Sequence, residues 1–156
     1  DERGWSHKHF QSIVQNYAYA PYLADHSDFL REIYHRTWGK LIEINLEILT
    51  YLKSALGIQK EFILQSSLEV EGKGSELLVN ICKRIGTDTY LAPMVSKKYL
   101  NEEVFEKNCV RIEYYKFHSP IYPQLWGEFI YNLSILDLLL NCGGKSLDLI
   151  KKYNKR

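Results

Sequence analysis

GKGSELLVNICKRIGTDTYLAP, residues 72–93, decides the fold, because the period of its apolar residues changes inside it. Leu77, Leu78, Ile81, Cys82 and Ile85 recur at helical spacing between flanking glycines, which predicts a helix over 72–86. DTYLAP (88–93) then reads as a short strand that Pro93 ends. Upstream, EFILQSS (61–67) reads as a strand ending in small hydroxyl residues. Downstream, YLNEEVFEKNC (99–109) reads as a short helix capped by Asn101, and VRIEYYKF (110–117) as a strand. Strand, helix, strand, helix, strand is the signature of parallel crossover units, so an α/β fold with a small three-stranded parallel sheet is expected.

Helical segments are expected on both sides of this βαβαβ unit. Trp5, Phe10, Ile13, Val14 and Tyr17 give a helix over 5–17 that Pro21 breaks, and a second runs from about Tyr22 to His35. A longer helix from about Trp38 to Leu56 carries Trp38, Leu41, Ile42, Leu49, Leu52 and Leu56 as one stripe. Thr37 fits its N-cap and Gly57 its stop, while Asn45 falls on the stripe as a candidate buried polar group. His26 and His35 look like surface residues, and KKYNKR (151–156) reads as a fraying basic tail. The organisation expected is a single domain with a helical part (1–57), a βαβαβ part (58–117) and a C-terminal part (118–156). No Met opens the chain and Trp5 already falls in a helical pattern, so a fragment of a longer protein is expected.

Bulk properties exclude several classes. With 20 basic against 19 acidic side chains, no net positive field draws the protein to nucleic acid or anionic lipid. No apolar run approaches the roughly 20 residues of a membrane span, and the polar opening DERGWSHKH is no signal peptide. Cys82, Cys109 and Cys142 are odd in number and widely spaced, which argues against a disulfide scaffold and for a reducing, cytoplasmic setting. The 12 Tyr and 3 Trp cluster in short stretches, and such rings suit carbohydrates as well as core edges.

Candidate chemistry is spread along the chain. Gly72-Lys73-Gly74-Ser75 opens a helix, where free N–H groups and Lys73 can hold an anion; a flexible turn with Ser75 or Gly74 capping the helix is the favoured reading. Neither a Walker pattern nor the dinucleotide fingerprint is present, and no cofactor is named by the residues. Ser96 beside Lys97 and Lys98 follows the second predicted strand and suits a phosphate or carboxylate, although paired loop lysines are commonly just solvated. His7 and His9 lie two apart on a helix and cannot chelate one metal. His118 stands at the end of a predicted strand.

YPQLWGEFIYNLSILDLLLNCGG (122–144) divides in two. Ser134 followed by Asp137 matches a capping-box spacing at the start of an apolar helix, and Gly143 supplies its stop. On the residues alone, that capping account stands ahead of a catalytic Asp137. The loop from Tyr122 to Asn132 holds rings and amides that no helix period explains, and it is the candidate ligand surface.

Several stretches together resemble the WbqC-like family of bacterial proteins: WSHKHFQSIVQNYAYAPYL, NLEILTYLKSALGI, the opening 72–93 segment, and above all the run from Lys97 to Gly144. The resemblance implies an association with bacterial surface-polysaccharide (O-antigen) gene clusters. The role it implies is transfer of an amino acid, glycine, onto an amino sugar. Family members usually begin with a further segment resembling H-Q-P-x-Y-x-P-W-x-G-Y, which this sequence does not contain, and many are more Gly-rich where this chain has Ala92-Pro93-Met94-Val95-Ser96. On that reading the partner is a small amino-sugar or nucleotide-sugar substrate. Tyr122 and Trp126 form the sugar platform, and Gln124 and Asn132 position it. Lys73, Ser96, Lys97 and Tyr99 supply further substrate contacts, and Asp137 or His118 is the base. The alternative is a non-catalytic sugar-binding accessory protein of the same pathway.

Overall fold

A computed structural model describes residues 4–154. The order is α1 (Trp5–Asn16), α2 (Leu23–His35), α3 (Leu41–Ala55), α4 (Gly74–Arg84), β1 (Thr89–Pro93), α5 (Glu102–Lys107), β2 (Arg111–Tyr115), α6 (Ile135–Cys142) and α7 (Ser146–Tyr153), with short 3-10 turns between some of them. The described residues form two compact units: one lies within Asp1–Gln59 and Ser119–Arg156, the other spans Lys60–His118. The α/β class, the small parallel sheet and the helices at both ends of the chain are as the sequence predicts.

In the Lys60–His118 unit, β1 and β2 pair in parallel, Thr89 opposite Arg111 through Pro93 opposite Tyr115. Parallel neighbours need a crossover, and α5 supplies it. Val79 and Cys82 of α4 meet Phe105 and Val110 to form the core, with Tyr90 and Ile112 packed against it. The buried face of α4 is therefore centred on Val79 and Cys82, and Ile85 is exposed at its end. Its stop is a Schellman turn: Gly86 has φ +73°, its N–H bonds Lys83 O, and Thr87 N–H bonds Cys82 O.

The expected first strand does not form. Residues 61–64 are exposed and lie in no strand, and the chain turns at a 3-10 helix over Gln65–Ser67. Both the amide and the hydroxyl of Ser67 donate to Leu64 O, so local turn chemistry captures the end of the apolar run. The sheet has two strands among the described residues.

In the other unit, α2 buries His26, Leu30 and Ile33, spaced four and three apart. His26 is thus a core residue and not a surface one; its Nδ1 lies 2.6 Å from Tyr51 Oη, whose ring stacks on Phe29. That arrangement also settles which face of α3 is buried. The helix carries apolar residues on two sides, and the side of Ile44 and Tyr51 packs inward while Leu41 (74% exposed), Ile42 and Leu49 face out. Asn45, on the outward stripe, is exposed and needs no buried partner. Lys40 occupies the N-cap position expected for Thr37, with Glu43 accepting its amide. Gly57 ends α3 as predicted, at φ +69° with Ile58 N–H on Lys53 O. Lys151, Lys152 and Tyr153 of the predicted tail belong to α7; Lys155 and Arg156 lie outside the described residues.

Candidate functional site

Helix α6 begins at Ser134, whose Oγ accepts the Leu136 amide at 3.2 Å. Ser134 is therefore an N-cap as expected, through the second helical amide. The capping box with Asp137 does not form, because the Asp137 carboxylate turns away from the cap and into a polar cluster. Tyr17 Oη donates to Asp137 Oδ1 at 2.8 Å, and Tyr122 Oη donates to Oδ2 at 2.6 Å. Asn141, one turn along α6, donates its Nδ2 to the Asp137 carbonyl at 2.8 Å and to Oδ1 at 3.3 Å.

Asp137 is 5% exposed, and three neutral donors replace the water it lost. An ionised carboxylate accepts about four hydrogen bonds. Tyr17, Tyr122 and Asn141 use three of those positions, which leaves one on Oδ2. Burial, reinforced by the bond to Asp137, pushes the Tyr122 phenol up to about 12. The same two causes raise Tyr17. Both phenols are donors at neutral pH.

Asp137 lines one wall of a cleft of about 320 Å³, to which Tyr122 and Asn141 do not contribute lining. Ser12, Asn16 and Tyr17 of the α1 region form another wall, and Gln124, Leu125, Trp126 and Ile130 of the aromatic loop a third. The loop owes its shape to two contacts. Gln124 spans it, its Nε2 donating to Ile130 O and its Oε1 accepting Ile130 N–H, both at 2.9 Å. Gly127 turns it at φ +59°. Trp126 Nε1 donates to Asn16 O at 2.8 Å, and its ring meets Tyr19 edge-on, yet 57% of the residue is exposed. The ring is fixed and still open to a ligand.

Of the residues singled out in the sequence, Asp137, Gln124 and Trp126 line this cleft. Tyr122 is buried behind Asp137 in the core, bonded to its carboxylate, and forms no platform in the cleft. The amide of Gln124 is spent at both ends on the loop itself. Asn132 sits in left-handed backbone at φ +58° with its N–H on Ser119 Oγ at 3.3 Å. Lys73, Ser96, Lys97, Tyr99 and His118 belong to the other unit. There Lys73 precedes α4, and buried Ser96 donates its hydroxyl to Pro93 O at 2.7 Å. Lys97 lies 5.6 Å from the Tyr114 ring, Tyr99 is 71% exposed, and His118 is exposed. A cavity of about 460 Å³ in that unit is lined by Glu102, Arg111 and Tyr114 among others, and by none of those five. No cluster of metal-ligating side chains occurs among the described residues. Sequence reasoning missed Tyr17 as a site residue. Its partner Asp137 lies 120 positions away, so no spacing rule links them.

The chain belongs to the WbqC-like protein family, whose profile matches residues 1–149. It is 29% identical over 153 residues to a Mycobacterium tuberculosis (strain ATCC 25618 / H37Rv) protein named Uncharacterized protein Rv1507c. The alignment covers 97% of this chain but 66% of that protein, so the chain spans a little under two thirds of its relative's length. No solved structure matches.

Proposed function

We propose that the chain is part of a transferase that attaches an acyl group, of the aminoacyl class, to the amine of a sugar during bacterial surface-polysaccharide assembly. The observation that supports this reading is that one cleft is lined both by the Asp137 carboxylate, which has one acceptor position unused, and by an exposed, oriented Trp126 ring. An amino sugar matches both features. Its apolar ring face suits the indole, and its amine suits a buried carboxylate. In the transfer, Asp137 takes one proton from the bound ammonium, the freed amine nitrogen bonds to the acyl carbon, and the bond to the donor's leaving group breaks, that group carrying off the second proton. Tyr17 and Tyr122 hold the carboxylate in place and remain protonated throughout.

A second reading, a non-catalytic sugar-binding module of the same pathway, is favoured by one observation. Three of the four acceptor positions of Asp137 are already used, which suits a carboxylate built to hold a ligand more than one built to exchange protons. Mass spectrometry of the polysaccharide repeat unit from a strain lacking the gene separates the two. Loss of an acyl or aminoacyl substituent supports the transferase, and an unchanged repeat at normal yield contradicts it.

A further inference from the structure

Beyond Asp137, α6 runs into α7 through Gly143 and Gly144, and a second cavity of about 590 Å³ opens beside this junction. Lys145, Asp148, Leu149 and Lys152 line it at spacings of three, four and seven, hence from one helical face. Asp148 and Lys152 are four apart, the spacing at which a helix pairs opposite charges. Yet neither they nor Lys145 form an ion pair among the described residues. Lys152 Nζ lies 6.0 Å from the Tyr153 ring. Three charged groups therefore converge on one cavity without neutralising each other.

Two further lining residues are fixed in place. A Cβ on Gly143 would meet the Tyr22 ring at 2.5 Å, so the ring is seated directly on the glycine. Asn141 commits its Nδ2 to Asp137, while its Oδ1 accepts no hydrogen bond among the described residues. The cavity thus offers two ammonium groups, two acceptors in Asn141 Oδ1 and Asp148, and apolar surface from Leu149 and Tyr22.

We infer that this cavity is a second binding site, which takes a phosphate-bearing ring compound with free hydroxyls. Lys145 and Lys152 hold the phosphate, Asn141 and Asp148 accept from hydroxyls, and Leu149 and Tyr22 cover the ring. The site is separate from the Trp126 cleft, and Asn141 stands between the two, bonded to Asp137 and facing this cavity. The inference does not depend on transfer chemistry.

Uridine diphosphate, uridine and inorganic pyrophosphate, titrated calorimetrically into the protein, test it. Uridine diphosphate is expected to bind more tightly than either part alone, and more weakly as salt rises. A Lys145→Met/Lys152→Met double variant is expected to lose about tenfold in affinity, the scale of two partly exposed charge contacts. Both lysines are exposed, so the variant keeps its fold, which circular dichroism checks. Trp126→Ala is expected to leave the affinity unchanged. Absence of uridine diphosphate binding, equal affinity in the double variant, or loss of binding in Trp126→Ala each overturns the inference. None of those results bears on amino-sugar binding at Asp137.

Discussion

Asp137 gathers two phenols and an amide on one carboxylate, and its energetics are set by what it lost. A carboxylate 5% exposed has exchanged water for two phenols and an amide. Asp137→Asn keeps the shape but turns one oxygen into an NH₂ group, which cannot accept from a phenol. One tyrosine hydroxyl is then left unsatisfied, at a cost of about 1–3 kcal/mol. Tyr17→Phe removes a donor while the acceptor keeps other partners, so its cost is about 1 kcal/mol. Urea denaturation of both variants checks the order, with Asp137→Asn the more destabilised. His26 gives a prediction in pH. Burial lowers its pKa below the ordinary 6.5, outweighing the opposing pull of Asp25. The unfolded chain therefore binds more protons across the window from 6.5 down to the lowered folded value. Stability is full above pH 6.5 and falls as the pH drops through that window. His26→Phe is expected to flatten this slope in denaturation midpoints measured from pH 7.5 downward.

The elements differ in how much of their sequence can be read locally. The stops of α3 and α4 were legible because a glycine follows each at the left-handed position. The strand over 61–67 was misread because its apolar run resembles a strand until Ser67 folds back on Leu64. The inward face of α3 was misread because apolar residues lie on both sides, and the choice rests on His26 and Phe29 of α2. Glycine stops also differ in what surrounds them. Gly57 and Gly143 both have positive φ, but a Cβ at Gly57 meets nothing within 4 Å, whereas at Gly143 it meets the Tyr22 ring at 2.5 Å. Gly57→Ala is expected to cost about 1 kcal/mol, the left-handed penalty alone. Gly143→Ala adds displacement of a packed ring and is expected to cost at least about 2 kcal/mol more. Thermal denaturation of the two variants side by side measures the difference.

At the scale of the whole molecule, family membership extends over residues 1–149, while the candidate site draws on α1, the 122–133 loop and α6 of one unit. The sequence pointed to the loop and to Asp137 but could not join them to Tyr17, because tertiary packing alone brings residues 120 positions apart into contact. No described helix is long and apolar enough to cross a membrane. The central claim is that the Asp137–Trp126 cleft receives the amine of a sugar. The most direct test is to titrate glucosamine and N-acetylglucosamine into the protein and follow the Trp126 indole N–H by NMR. Glucosamine is expected to shift that signal and to bind about tenfold more weakly to Asp137→Asn, the scale of one charge-assisted hydrogen bond. N-acetylglucosamine, whose nitrogen carries no charge, is expected to bind no better to the wild type than to the variant. Equal binding of both sugars, or glucosamine binding indifferent to Asp137→Asn, would contradict the claim.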